Sequence, residues 1–284
     1  MLHQPVRHRL QIFCKTVKSP DRIVIVPGGA ATVGGDGTVL GAELARIGYA
    51  GDAEPGFLRP RAYVELHVEQ GPVLEHEGIP IGVVANLQGI SWQRVTIEGV
   101  ANHAGTTPTA MRRDAGLAAA RVVTFLRDRV AGADTVATVG CMAFAPDAIN
   151  VIPARATFTV DLRHPDEARL RAAEAALAQY LDELGQAEDV AIATERLARF
   201  TPVAFDPGIV GLIERAAARR GLRWRRMTSG AGHDAQMLAR ICPAAMIFVP
   251  STAGISHNPR EHTPDPDLIA GANVLLDVVR ELAG

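Results

Sequence analysis

The sequence predicts an α/β fold in which a small ferredoxin-like domain interrupts a larger domain. Two observations carry this prediction. The middle of the chain shows strand and helix periodicities in the order β-α-β-β-α-β, the pattern of a two-layer ferredoxin-like unit. The segments on either side combine helix patterns with buried strands, as in an α/β sheet. The simplest organisation of the 284 residues is therefore one α/β domain made of two sequence-distant pieces, with a second domain inserted between them.

The inserted domain is predicted to begin with a half-buried strand, because Val95 and Ile97 alternate with polar neighbours. A helix follows, since apolar residues then recur at helical spacing. Its predicted inward face consists of Ala115, Ala119, Val122, Leu126 and Val130. Thr135–Ala143 is rich in strand-forming residues and predicts the second strand.

The second half of the inserted domain repeats this pattern. Apolar and polar residues alternate over Phe158–Leu162, which predicts a two-sided strand. The next helix is predicted to open at Pro165–Glu167 and to close at Gly185. Its predicted inward face consists of Leu170, Ala173, Leu177, Leu181 and Leu184. Val190–Leu197 supplies the last strand.

The flanking pieces carry the α/β pattern. A helix is predicted from Leu40 to a stop at Gly48, and buried strands over 62–68 and 79–86. After Phe200 the chain changes character again. The predicted elements there are a helix over Ile209–Ala216, a buried strand over Ala244–Val249 and a last helix from about Asp265.

Composition and charge exclude several classes of protein. A formal net charge of −2 gives no electrostatic reason to expect nucleic acid or an anionic membrane surface. No apolar run approaches the roughly 20 residues that a membrane span needs. The three cysteines are odd in number and widely spaced, which favours a reducing compartment. We therefore expect a cytoplasmic protein with no nucleic-acid or membrane partner.

Four histidines stand in polar, Gly-rich or Pro-rich contexts at the ends of predicted elements, where ligands and catalytic groups usually project. They are His67, His103, His233 and His257. No HExxH or CxxC spacing is present, so spacing alone does not establish a metal site. His67 and His257 are each either a metal ligand or an ordinary surface histidine. His233 and Asp234 form either a catalytic pair or a capped helix start.

Arg163 and Asn150 are candidates for binding a carboxylate. Arg163 ends a two-sided strand, and Asn150 lies in the turn before Val151–Pro153. A guanidinium offers paired donors in one plane, and an amide adds another donor. The alternative is a surface arginine and a turn-forming asparagine.

These segments together resemble the peptidase M20-related amidase family that hydrolyses N-carbamoyl-L-amino acids, allantoate and N-carbamoyl-β-alanine. The similarity runs from about Asp36 to the C-terminus. It is carried by Tyr63–Glu75, Gln88–Gln93, Asn102–Pro108, Ala148–Pro153, Asp161–Arg163, Ser229–Ala235 and Ile255–Glu261. The number and order of these matches make the resemblance specific.

The resemblance implies an M20-type catalytic α/β domain with an inserted ferredoxin-like lid that also forms a homodimer. The catalytic domain would bind two divalent ions, zinc or manganese. The expected domains are a divergent segment over 1–35, a partial catalytic domain over 36–88 and 201–284, and the lid over 89–200. The expected substrate is a small molecule with a ureido or carbamoyl group and a carboxylate, either an N-carbamoyl-L-amino acid or allantoate.

The resemblance also implies roles for individual residues. His67 would ligate one metal ion and His257 the other. His103, from the partner's lid, would stabilise the oxyanion that forms when hydroxide attacks the ureido or amide carbonyl. The substrate would be held by Gln88, Asn150, Arg163 and Gly232, with Arg163 on its carboxylate.

One part of the family pattern differs. The family carries a His-x-Asp motif and a Glu-Glu pair upstream of these segments, whereas residues 1–35 contain neither and have no glutamate. We therefore expect that the upstream segment was lost, through a frameshift or a wrong start, and that activity is impaired. The alternatives are a non-catalytic fragment that keeps the dimerisation domain, and a relative of the M20 aminopeptidases or dipeptidases.

Overall fold

The structure is a computed structural model that describes residues 29–34, 36–50, 60–132 and 134–284. Most of the divergent segment expected over residues 1–35 lies outside these ranges. The strands of the described part are β1 Tyr63–Val68, β2 Ile81–Leu87, β3 Gly89–Glu98, β4 Val136–Ala145, β5 Arg155–His164, β6 Ala191–Phe200, β7 Val203–Ala204, β8 Trp224–Ser229 and β9 Ala244–Val249. Its α-helices are α1 Leu40–Arg46, α2 Val73–Glu77, α3 Ala115–Phe125, α4 Glu167–Ala187, α5 Pro207–Arg219, α6 Asp234–Leu238 and α7 Asp265–Ala283.

These elements form a mixed α/β fold with two sheets, which confirms the predicted fold class. One sheet has the order β1-β9-β2-β7, with β8 paired to β2, and the other has the order β4-β5-β3-β6. The chain divides into two compact units. Of the described residues, those up to Val83, Asp206–Arg225 and His233–Gly284 form the first unit, and those within Val84–Phe205 and Arg226–Gly232 form the second.

The second unit contains the predicted β-α-β-β-α-β sequence of elements. Its sheet is antiparallel throughout, as a ferredoxin-like order requires. The inward faces predicted for the two helices are both buried and form one core with Val95, Ile97 and Phe158. The hydrophobic periodicity therefore predicted this core correctly, because each of its residues follows the helix or strand repeat.

Aspartate caps fix where the two helices of this unit begin. Asp114 accepts hydrogen bonds from the backbone of Gly116 and Leu117, and Asp166 accepts one from Arg169. The predicted stop of α4 at Gly185 is wrong, because the helix continues to Ala187. A β-carbon at Gly185 would lie 3.2 Å from the carbonyl oxygen of Val190, so this glycine allows the chain leaving the helix to approach closely.

In the first unit, β1 and β9 are parallel neighbours paired from Tyr63 with Ala244 to Val68 with Val249. The C-terminal helix α7 packs on them at Gly271, where a β-carbon would lie 2.5 Å from Val249 Cγ1. The predictions missed α2, β7 and β8. No helix in the described part of the chain is long and apolar enough to cross a membrane.

Candidate active site

Two potential ligands project from the same face of β1 in the first unit. Glu65 and His67 are two residues apart, so their side chains point to the same side of the strand. Glu65 is buried and His67 is partly buried. His67 is next to the carboxyl end of a strand that is parallel to β9, which is where α/β sheets usually bind their ligands.

His233 joins these two side chains from the start of α6. It is the N-cap residue of that helix, and Asp234 is the first helical residue, so the helix start is where the second alternative placed it, although no side chain caps it with a hydrogen bond. The rings of His67 and His233 meet edge-on with centroids 4.6 Å apart. His233 Nδ1 lies 3.7 Å from Glu65 Oε1. His233 is buried, and its ring also packs against Phe248 on β9, at 5.5 Å between centroids.

Hydrogen bonds orient two of these side chains. The Nδ1 of His67 lies 2.8 Å from the carbonyl oxygen of Val68, which can only accept, so Nδ1 carries the proton. In the neutral ring the Nε2 lone pair is then available. Glu65 Oε2 accepts hydrogen bonds from the backbone N–H of Ala235 and from the Tyr63 hydroxyl. Its other oxygen, Oε1, is the one nearest His233.

Glu65 sits in an environment that disfavours a bare negative charge. Burial raises the pKa of Glu65 above its usual value, and the nearby charge of Asp234 adds to the shift. The backbone hydrogen bond from Ala235 and the neighbouring His67 oppose it without cancelling it. A cation bound beside Glu65 would favour the ionised carboxylate.

The three side chains fit a divalent metal ion. One ligand atom from each of Glu65, His67 and His233 lies within 4.8 Å of the others. Two imidazoles and one carboxylate form a ligand set that zinc accepts in catalytic sites, with one position left for water or substrate. His67 is thus placed beside two other potential ligands, although its metal-binding role stays a prediction.

His257, the second predicted ligand, lies outside this group. It is exposed, with a left-handed φ of 54°, in the loop after β9. Gln70 connects that loop to the end of β1, because its Nε2 donates to Ser256 Oγ at 2.9 Å and its N–H donates to Ser251 Oγ at 2.9 Å. The loop is thereby anchored near the end of the strand that carries His67, and the role of His257 stays a prediction.

Two predicted substrate residues converge in the second unit. Gln88 Nε2 donates to the carbonyl oxygen of Gly230 at 3.1 Å, and Arg163 Nη1 donates to the same oxygen at 2.5 Å. Asp161 holds the other edge of the Arg163 guanidinium, with Oδ1 2.9 Å from Nε and Oδ2 2.6 Å from Nη2. Gly232, the third predicted substrate residue of this region, lies two residues further along the same loop and is exposed.

The remaining pair, His103 and Asn150, lies at the other end of β3. The backbone of His103 forms an isolated antiparallel β-bridge with Val151, and the N–H of Ala104 donates to the carbonyl oxygen of Asn150. Gln88 immediately precedes β3 and His103 follows its far end. At about 3.3 Å per residue, this ten-residue strand separates the two groups by roughly 30 Å. One copy of this unit therefore does not bring Gln88 and Arg163 to His103 and Asn150.

The imidazole of His103 is fixed as a hydrogen-bond donor at Nε2. Its Nδ1 accepts the backbone N–H groups of Gly105 and Thr106, at 3.1 and 3.2 Å. The Nδ1 lone pair is thus engaged, and the proton of the neutral ring resides on Nε2.

Sequence reasoning missed three residues of these sites: Glu65, Gln70 and Asp161. Glu65 and Asp161 each stand two residues before a predicted site residue on a strand, so the strand period alone places them on the same face. That signal was present in the sequence. Gln70 is different, because its role depends on a contact with a loop distant in sequence.

Residues 29–281 match the family described as Peptidase family M20/M25/M40. The chain is 40% identical over 252 residues to N-carbamoyl-L-amino-acid amidohydrolase of Rhizobium meliloti, covering 87% of this chain and 60% of that protein. It is 40% identical over 225 residues to allantoate amidohydrolase of Escherichia coli (strain K12), covering 78% of this chain and 55% of that protein.

The chain also resembles solved structures of amidases. A crystal structure of an amidase of the hydantoinase/carbamoylase family from Burkholderia multivorans matches with a TM-score of 0.86 and 44% identity. The match covers 90% of this chain and 63% of that one. The chain therefore spans less than two thirds of the length of each of these proteins.

Proposed function

Because the chain belongs to the peptidase M20/M25/M40 family, we propose that it is a metal-dependent amidohydrolase. Its substrates are ureido or carbamoyl compounds that carry a carboxylate, either N-carbamoyl-L-amino acids or allantoate. The reaction breaks a non-peptide C–N bond. Relatives named for both substrates, each 40% identical, support this substrate class.

The observation that carries the proposal is the convergence of Gln88 and Arg163 on the Gly230 carbonyl oxygen. The amide of Gln88 and the guanidinium of Arg163 donate to the same acceptor. A carboxylate oxygen of the substrate suits these two donors and would take the place of the Gly230 carbonyl oxygen. Asp161 occupies the Nε edge of Arg163 and leaves the terminal edge for the substrate. Gly232 and Asn150 are assigned to the substrate on resemblance alone.

Hydrolysis needs a Lewis acid that polarises the reacting carbonyl, a water molecule that attacks it, and a hydrogen-bond donor to the negative charge that develops on its oxygen. A divalent ion, zinc or manganese, supplies Lewis acidity and activated water when bound. His67 would be its first ligand, and the family resemblance assigns His257 to a second ion. His103 donates from Nε2 to the oxyanion, an interaction that contributes roughly 3–4 kcal/mol in other enzymes. The engaged Nδ1 of His103 supports that role.

We assign His103 to the site of a partner subunit, so the working form is a homodimer. The roughly 30 Å between the two ends of β3 supports this assignment. The edge strand β4 offers a contact surface, because Met142 and Phe144 on it are exposed. The two cysteines of the described part, Cys141 and Cys242, are free thiols, which supports the cytoplasm as the compartment.

We also propose that turnover is slower than in the relatives. In the described part, a two-histidine, one-glutamate group accounts for one ion. Among the described residues, His257 belongs to no second group of three potential ligands, whereas a catalytic zinc normally has three. Two-ion hydrolysis uses both cations to stabilise attacking and leaving groups.

The test compares an N-carbamoyl-L-amino acid, allantoate, a dipeptide and the α-carboxamide of the same N-carbamoyl amino acid. The expected result is amino-acid or ammonia release from the first two and little from the carboxamide, which lacks the anionic group. Preferential cleavage of the dipeptide would instead place the chain with the peptidases. No release from any substrate, by a folded and metal-loaded dimer, would identify a non-catalytic dimerisation protein.

A further inference from the structure

Gln70 connects the end of β1 to the loop between β9 and α7, residues 250–264. Its Nε2 donates to Ser256 Oγ and its backbone N–H donates to Ser251 Oγ, both at 2.9 Å. Ser251 is fully buried and Ser256 is partly buried. His257 directly follows Ser256 in the sequence. The Gln70 side chain therefore holds the loop one residue away from the histidine that the resemblance assigns to the active site.

The loop adopts a backbone conformation that its residues do not favour by themselves. Five non-glycine residues in the described part of the chain have a left-handed φ. Three of the five lie at this contact, namely Gln70 at 59°, Ala253 at 55° and His257 at 54°. Non-glycine residues rarely adopt such angles, and they keep them only where surrounding contacts impose them. The backbone at His257 is thus set by the contacts that hold the loop.

The segment that carries Gln70 is itself fixed in place. The N–H of Glu69 donates to the carbonyl oxygen of Val249, and the Glu69 carboxylate accepts the first two backbone N–H groups of α2. A second contact joins the loop to α2, because the N–H of Ala253 donates to Glu75 Oε2 at 2.7 Å. With its base fixed in this way, Gln70 can determine the position of the loop.

We propose that Gln70 is a positioning residue of the active site. Through Ser256 it holds the loop over residues 250–264 at the end of β1, and so fixes where His257 lies. The role of His257 rests on the proposed function, whereas the holding of the loop does not. All of these residues belong to the first unit, so the contact needs no second copy of the chain.

The experiment uses variants of the full chain that remove this hydrogen bond from either side. Gln70→Gly removes the side chain without straining the backbone, because glycine readily adopts a φ of 59°. Ser256→Ala removes the acceptor, and the double variant removes both. Gln179→Ala is the matched control, since Gln179 is an exposed glutamine that donates one hydrogen bond to Glu183 in the second unit.

Three quantities are measured for each variant. They are the amide hydrogen exchange of residues 251–262, the thermal unfolding midpoint, and kcat and KM for an N-carbamoyl-L-amino acid with zinc or manganese added. The unfolding midpoint separates a loss of positioning from a loss of folded protein. The exchange rates report on the loop whether or not the chain is active.

In Gln70→Gly, exchange over 251–262 should be roughly 5- to 10-fold faster, the effect of one lost hydrogen bond on local opening. The unfolding midpoint should be unchanged or higher. Because a displacement of about 1 Å can cost 100-fold in rate, kcat should fall by roughly 10-fold or more. KM, which we assign to Arg163, should change by less than about 3-fold. The double variant should lose no more than the more affected single variant, since both changes remove the same contact.

Unchanged exchange over 251–262 in Gln70→Gly would overturn the proposal. Faster exchange with an unchanged kcat would also overturn it, because the contact would then be structural only. Additive losses of kcat in the double variant would contradict a shared hydrogen bond. A folded wild type that hydrolyses no substrate would refute the proposed function instead, and the exchange rates would still decide whether Gln70 holds the loop.

Discussion

The imidazole of His67 meets the imidazole of His233 edge-on, with 4.6 Å between ring centroids. One ring comes from strand β1 and the other from the first position of helix α6, and Glu65 lies beside both. Parallel pairing of β1 with β9 places Phe248 next to His67 and beneath His233. Two imidazoles and a carboxylate that lie together at the end of a strand form a ligand set that binds transition metals.

Arg163 should control substrate affinity. Arg163→Ala removes the guanidinium that we assign to the substrate carboxylate, and it should raise KM for N-carbamoyl amino acids by roughly 30-fold or more, equivalent to about 2 kcal/mol for a lost charge-assisted pair. Arg163→Lys should recover only part of this, because an ammonium lacks the planar fork. Arg94→Ala, an exposed arginine on the same sheet, is the control. An unchanged KM for Arg163→Ala would remove Arg163 from the substrate site.

The β4 edge should hold the dimer together. Phe144 is 42% exposed on this strand, and Phe144→Glu would place a charge in the proposed contact. Sedimentation velocity should show a dimer for the wild type and a monomer for the variant. Ile269→Glu, at an exposed position on α7, should remain dimeric. A wild-type monomer at micromolar concentration would contradict the proposed dimer.

An ion-pair network in the second unit should make stability depend on pH. Arg199 Nε lies 3.0 Å from Glu174 Oε1, and both side chains are largely buried. Burial opposes ionisation of Glu174, but hydrogen bonds from Ser91 and Arg199 outweigh it and lower its pKa. A lowered folded-state pKa stabilises the fold above the unfolded value of about 4.3, and this stabilisation disappears as the pH falls through the folded value.

Glu174→Gln should therefore lower the free energy of unfolding by about 2 kcal/mol at pH 7, because Arg199 loses the more buried of its two carboxylate partners and keeps only Glu167. The difference between wild type and variant should shrink as the pH falls below about 4. Urea unfolding at several pH values measures both. Glu183→Gln, at an exposed position of the same helix, should change stability by less than about 0.5 kcal/mol. A pH-independent difference would contradict this account of the network.

Two helical glycines should respond oppositely to alanine. A β-carbon at Gly271 would lie 2.5 Å from Val249 Cγ1 and 2.8 Å from Leu66 Cδ1, so Gly271→Ala should destabilise by about 1–3 kcal/mol. A β-carbon at Gly211 would meet only the flexible end of Arg215, so Gly211→Ala should stabilise by up to about 1 kcal/mol. Thermal unfolding of both variants tests the packing of α7 on the β1–β9 pair.

The fold was predictable from the sequence where a periodic pattern spans a whole element. Two such patterns are the alternation at Val95 and Ile97 and the helix face from Leu170 to Leu184. Each predicts that one side of its element is buried, and these residues are buried in the structure. The elements that were missed have no such pattern. Helix α2 has only five residues, and it is fixed by the Glu69 carboxylate, which accepts the N–H groups of Val73 and Leu74. Strand β8 carries two arginines and pairs through its backbone.

The candidate sites were predictable in part. Resemblance identified His67, Gln88 and Arg163, and the structure joins the last two at one carbonyl oxygen. The grouping of His67 with His233 could not be read from the sequence, because it depends on which helix start the fold places beside β1. No periodicity or spacing encodes such a contact between distant segments.

The most direct test of the central claim is removal and return of the metal during hydrolysis of an N-carbamoyl-L-amino acid. The proposed function predicts that a chelator abolishes release of the free amino acid by the full chain, and that zinc or manganese restores it. Magnesium, which prefers all-oxygen sites, should restore little. Hydrolysis that continues unchanged in the metal-free chain would contradict the claim that this protein is a metal-dependent amidohydrolase.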